Sequence, residues 1–232
     1  MNTTNFNQFL RNLSKHPISV LDNKYNKSDY FPIDISENNI DLQIFDISSS
    51  SEWENYIQKF LSKNKAKVAF GGYLERRNLY DRSDYFKNES VKNKRNIHLG
   101  IDLWCKANTK VLAILDGEIH SFKNNTNYGD YGPTIILKHT IENEIFYSLY
   151  GHLSIKSIEN LSVGIQIKQG EVIGFLGDAF VNGDYAPHLH FQIIRDLQDN
   201  FGDYAGVSSE DNLDFYKGNC PNPNLLLKLK HL

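Results

Sequence analysis

From Val68 onward, short apolar runs are broken at close intervals by Gly, Asn and Asp, and no helical pattern alternates with them. Runs of that length between turn formers read as strands, and without intervening helices they do not build a parallel α/β sheet. The expected strands are Ile101 to Trp104, Val111 to Leu115, Glu118 to Phe122, Thr134 to His139, Ile145 to Tyr150, Val172 to Leu176 and Leu189 to Ile194. Asp116-Gly117 between two of them is a tight-turn signal. Gly164, Gly170, Gly174 and Gly177 punctuate a further stretch, as strands joined by tight turns require. The expectation is a mainly β chain with an antiparallel core.

The first 65 residues have a different texture. Phe6, Phe9, Leu10 and Leu13 recur at helical spacing behind Thr3 and Thr4. A second helix is expected from Ser51 to about Ser62, where Ser51 and Glu54 have capping-box spacing. Trp53, Tyr56, Ile57, Phe60 and Leu61 fall on one face of it, and that stripe must be buried against the rest of the chain. The polar stretch from about 20 to 50 carries no assignable pattern. The organisation expected is a helical N-terminal extension over 1–65 and a β domain over 66–232. Pro221 and Pro223 argue for an extended wrap in the tail, with Leu225, Leu226 and Leu227 packing back onto the core.

A formal net charge of -3 provides no basic footprint, which argues against nucleic acid or an anionic membrane as partner. No apolar stretch is long enough to cross a bilayer. The N-terminus lacks a basic region followed by an apolar one, so no secretion signal is visible and the chain as written is expected in the cytoplasm. Cys105 and Cys220 lie far apart and neither forms a Cys-x-x-Cys pair. Cys105 reads as a small core residue.

The chemistry lies in the histidines, of which there are eight. His98 and Asp102 are four apart, and on a strand an even separation puts both side chains on one face. His188 and His190 share a strand face in the same way, with Leu189 and Phe191 on the other. His152 follows Tyr150-Gly151 at a strand end, a place where side chains point into clefts. Each segment alone reads as structural. Together they supply two imidazoles and a carboxylate for a metal, and two further imidazoles. A catalytic zinc site uses three protein ligands and keeps one position open. No His-Glu-x-x-His helix motif occurs.

The segments His98-Leu-Gly-Ile-Asp102, Tyr150-Gly-His152-Leu and Ala186-Pro-His188-Leu-His190-Phe resemble, in order and spacing, those of the lysostaphin/LytM-type zinc endopeptidases of bacterial peptidoglycan. The resemblance covers about residues 90 to 195. It implies an antiparallel β sandwich, hybrid-barrel-like, with a groove over one sheet. It also implies Zn²⁺ on His98, Asp102 and His190, with His152 and His188 as catalytic histidines. The activity implied is hydrolysis of peptide bonds in peptidoglycan cross-links or stems by zinc-activated water, in a family mostly exported from the cell. A family Tyr that assists the oxyanion has Tyr80 and Tyr85 as candidates here, and no cell-wall targeting module is visible. His139 occupies a recurrent family position that is not a ligand, and His120 is expected to face outward.

An amidase or peptidase acting on a substrate outside the cell wall is an alternative, and two other functions fit less of the sequence. A family scaffold that has lost activity and activates another hydrolase would lack ligands, and all five site residues are present. A lipoyl- or biotinyl-type carrier needs a Lys at a hairpin tip, where this chain has Asp116-Gly117.

Overall fold

The computed structural model describes residues 1–82 and 93–230, with the side chains of 81 and 82 excepted; Tyr85 and His231 lie outside the described residues. The chain begins with α1 (Thr3–Asn12), β1 (Tyr30–Pro32), α2 (Ser50–Lys63) and β2 (Val68–Gly71). It continues through β3 (Ile97–His98), β4 (Ile101–Trp104), β5 (Lys110–Leu112), β6 (Gly117–Asn125), β7 (Gly132–Ile141) and β8 (Glu144–Gly151). It closes with β9 (Gln166–Ile167), β10 (Val172–Phe175), β11 (His188–Ile194), β12 (Val207–Ser208), α3 (Leu213–Asn219) and α4 (Asn224–Leu227).

Eight strands form one sheet in the order β1-β2-β4-β11-β8-β7-β6-β9, while β5 pairs with β10 and β3 with β12. The pairing is antiparallel except between β1 and β2, which run parallel with Tyr30 opposite Val68. The chain is thus mainly β, as its texture implies, with one parallel pair at the edge. Its β1 lies in the stretch the sequence left unassigned.

Alternation along the strands divides the large sheet into two faces. On one, Leu189, Phe191 and Ile193 of β11 join Ile101 and Leu103 of β4 in the main core. Val111 and Ile173 from the β5–β10 layer close over that face, as do Phe6, Phe9 and Leu10 of α1 and Leu226 and Leu227 of α4. On the other face His188, His190 and Gln192 of β11 lie beside Asp102 and Trp104 of β4. The helical period of Phe6, Phe9 and Leu10 therefore reflects burial in the main core, where Phe6 meets Phe146 edge-on at 5.7 Å.

Three local expectations differ from the structure. The run expected over Val111 to Leu115 ends at Leu112 as a strand and pairs with β10, so Asp116-Gly117 is a bend between two sheets rather than a hairpin tip. The α2 cap is Ser49, whose side chain accepts the Glu52 N–H, while Glu52 accepts from the Asp46 N–H. Ser51 and Glu54 have the right spacing two residues too late. The tail carries the short helices α3 and α4 around its prolines instead of a wholly extended wrap. Cys105 and Cys220 are buried and unlinked.

Candidate metal centre

Register brings the distant motifs together. β11 pairs with β4 so that His190 stands opposite Asp102 and His188 opposite Trp104, and on its other side His190 faces Gly151 of β8. His98 arrives from β3, held by its pairing with Val207 of β12. His152 follows β8 directly and takes a left-handed backbone, φ 63°. That conformation is uncommon for a residue with a Cβ and concentrates at functional sites.

His98, Asp102 and His190 converge, with one ligand atom from each within 4.8 Å of the others. His98 Nε2 lies 2.8 Å from His190 Nδ1, and Asp102 Oδ1 lies 3.2 Å from the former and 3.1 Å from the latter. The outer nitrogens are already used. His98 Nδ1 donates to the Gly72 carbonyl at 2.9 Å, and His190 Nε2 donates to Gln192 Oε1 at 2.9 Å. In that tautomer neither inner nitrogen carries a proton, so three lone-pair acceptors face one another with no hydrogen to share. A bound cation satisfies such an arrangement, and the donor set of two imidazoles and a carboxylate suits Zn²⁺.

Close backbone approach makes this geometry possible. A Cβ on Gly100 would stand 2.7 Å from the His190 ring. Gly72, at φ 105°, would bring one to 2.9 Å of His98 Nδ1 and into the Arg77 guanidinium.

The other two imidazoles are anchored likewise. His152 Nδ1 donates to the Asn182 carbonyl at 2.8 Å and His188 Nδ1 to the Ala186 carbonyl at 2.7 Å, leaving each Nε2 free. Their ring centroids are 4.1 Å apart, and Trp104 stacks on His188 at 5.6 Å. All five residues are buried and line one cavity of about 410 Å³. Ile35 and Trp53 from the first 65 residues and Tyr204 and Ser208 from the tail complete its walls.

Burial favours neutral imidazoles here. It pushes His98 down to about 3, with the Arg77 charge adding to the effect. It lowers His152 well below its ordinary value, with His188 and His190 contributing, and it lowers His188 as well. Burial opposes the Asp102 charge, but the neighbouring His98, Arg77 and His190 outweigh it and hold the carboxyl well below the usual range.

Arg77, Glu75 and Gln192 escape the sequence motifs. Arg77 Nη1 donates to Asp102 Oδ2 at 2.6 Å and to the Tyr80 hydroxyl at 3.3 Å. Tyr80 lines the cavity, and burial raises its pKa so that it stays a hydroxyl. Gln192 was legible by period two from His190; nothing in the spacing of Glu75 or Arg77 marks them. Tyr131, flanked by Gly129 and Gly132, also lines the cavity, with its hydroxyl 3.4 Å from His190 Nε2. His139 is buried away from the cavity, bonded to the Asp116 carbonyl and to Ser148. His120 is partly exposed and packs beside Tyr147.

Residues 96–201 match the sequence profile described as Peptidase family M23. No curated protein matches the chain. Among solved structures, the catalytic domain of the antimicrobial peptidase lysostaphin from Staphylococcus simulans is 23% identical, with 73% of this chain and 98% of that one covered and a TM-score of 0.38. The catalytic domain of a mutant of the prophage-encoded M23 protein EnpA from Enterococcus faecalis is 20% identical over 56% and 86%, with a TM-score of 0.37. A zinc-containing peptidase from Vibrio cholerae is 23% identical over 47% and 30%, with a TM-score of 0.35. The chain spans 44% of a similar chain from Pseudomonas aeruginosa. At these identities the assignment rests on the family profile. Over residues 96–201, a little under half of its length, the chain is similar to peptidase family M23, the lysostaphin/LytM-type peptidases.

Proposed function

We propose that the chain is a zinc-dependent endopeptidase that hydrolyses peptide bonds in peptidoglycan cross-links or stems. Residues 66–232 form its metallopeptidase domain and 1–65 an extension to it. The observation that carries the reading is the convergence of one ligand atom each from His98, Asp102 and His190 in the lining of a cavity that holds two further imidazoles. Zn²⁺ bound there supplies Lewis acidity, which polarises a carbonyl and acidifies water.

The remaining work falls to the protein. His152 and His188 present unprotonated Nε2 atoms to the cavity, and either can take a proton from water. The ring protonated in that step, fixed by its carbonyl partner, then holds a proton at Nε2 to donate to the leaving amine. Tyr80 keeps its hydroxyl proton and can donate a hydrogen bond towards charge developing on the carbonyl oxygen. Burial of all these groups limits competing water.

Incubation with purified peptidoglycan, followed by measurement of newly released amines and carboxyls, tests the substrate. Release is expected from cross-linked or stem-bearing material. A protein that holds zinc and cleaves model peptides but releases nothing from peptidoglycan would exclude the cell-wall substrate.

A further inference from the structure

Resting on that metal-centre reading, we propose that Arg77 is a positioning residue for Asp102, and that Glu75 and the backbone of Ile35 hold Arg77 in turn. A continuous chain of hydrogen bonds joins them. The Ile35 N–H donates to Glu75 Oε1 at 3.1 Å, Arg77 Nε donates to Glu75 Oε2 at 2.7 Å, and Arg77 Nη1 donates to Asp102 Oδ2 at 2.6 Å. Asp102 Oδ1 is thereby left facing His98 and His190.

Arg77 is 1% exposed, the largest of the fully buried side chains. A buried ion pair is weak as a source of stability, since apolar groups of the same volume often serve as well or better. Its geometry explains its presence here. Arg77 and Glu75 cancel in formal charge, so the pair leaves the net charge around the centre unchanged; what it adds is direction. Arg77 Nη1 occupies Oδ2 while Nε is held by Glu75, which fixes the rotation of the carboxylate and restricts Asp102 to one coordinating oxygen. The Trp104 ring lies 5.7 Å from the guanidinium and Gly72 abuts it, so the fork has no room to swing.

The chain of bonds also gives the first 65 residues a part in the centre. Ile35 follows Ile33, whose N–H donates to the Phe70 carbonyl of β2, and both are buried beside Trp53 and Trp104. The segment braces the carboxylate from behind.

The test uses the full chain freed of metal. Zn²⁺ affinity is measured by competition with a chromophoric chelator, and Co²⁺ is bound in parallel for its visible spectrum. The double variant Arg77→Met with Glu75→Gln removes one positive and one negative charge, so the net charge is preserved. It is expected to bind Zn²⁺ about ten- to a hundredfold more weakly than wild type, with an altered Co²⁺ spectrum and a cooperative melt of the metal-free protein. Arg77→Lys keeps the charge without the fork and is expected to fall between the two. A loss smaller than about tenfold in the double variant overturns the proposal. Should that variant not fold, Arg77→Lys decides by spectrum: a shifted Co²⁺ band supports the positioning role and an unchanged one overturns it. Wild type that takes up no Zn²⁺ would instead sink the metal-centre reading itself.

Discussion

His152 and His188 hold their rings 4.1 Å apart, each tied through Nδ1 to a main-chain carbonyl, so both offer Nε2 to the same cavity. His188 Nε2 stands 4.0 Å from Asp102 Oδ1, beyond hydrogen-bond reach of the ligand set. Replacing either by Ala should therefore spare metal binding and remove proton transfer. The expected loss in hydrolysis is roughly 10²- to 10⁴-fold, read beside the zinc content of the same preparations. Wild-type turnover in both variants would remove them from the mechanism.

Metal content separates ligands from neighbours. Wild type is expected to hold about one zinc per chain, and His98→Ala and Asp102→Ala to hold little. Chelation should abolish hydrolysis and added Zn²⁺ restore it. A well-folded wild type that resists reconstitution would mark a scaffold without catalysis.

The motif segments were legible because a strand puts alternate side chains on one face, so His188-Leu-His190 and His98-Leu-Gly-Ile-Asp102 announce shared faces without any knowledge of pairing. The same rule revealed the core side of β11 through Leu189 and Phe191. What it could not reveal was contact set by tertiary approach. Arg77 lies 25 residues before Asp102 and meets it through a guanidinium whose place depends on Gly72 and Trp104. Tyr30 to Pro32 lies in a polar stretch without an assignable pattern because its strand is specified by β2 beside it. The α2 cap shows the limit of spacing alone: Ser49-x-x-Glu52 and Ser51-x-x-Glu54 are equivalent in sequence, and the approach of Asp184 to Ser50 helps to set which frame begins the helix.

His139 predicts an acid limit to stability. Burial lowers its folded pKa to about 4, against about 6.5 in an unfolded chain. Its contribution is therefore fully present above pH 6.5 and is lost as the pH falls towards 4, because the unfolded chain takes up the proton first. Over that window this one group should cost up to about 3 kcal/mol. Denaturant melts at several pH values, wild type beside His139→Gln, should show the shallower acid slope in the variant. Parallel slopes would assign the loss to other groups.

The first helix should behave as core. Leu10 is fully buried, and Leu10→Ala is expected to cost about 2–5 kcal/mol in chemical denaturation. Deleting about residues 1 to 65 should lower activity and solubility together, since it removes Phe6, Phe9, Leu10 and β1. A deletion that hydrolyses faster than the full chain would mean that this segment covers the groove.

The place of β2 in the sheet has a further consequence. The family match begins at residue 96, whereas the strand that pairs with β4 on the side away from β11 is Val68–Gly71. A fragment cut at the family boundary would turn β4, with Asp102 on it, into an open sheet edge carrying unpaired amides and carbonyls, the kind of edge that recruits strands from other molecules. The limit of sequence kinship is thus not a seam along which this molecule can be divided.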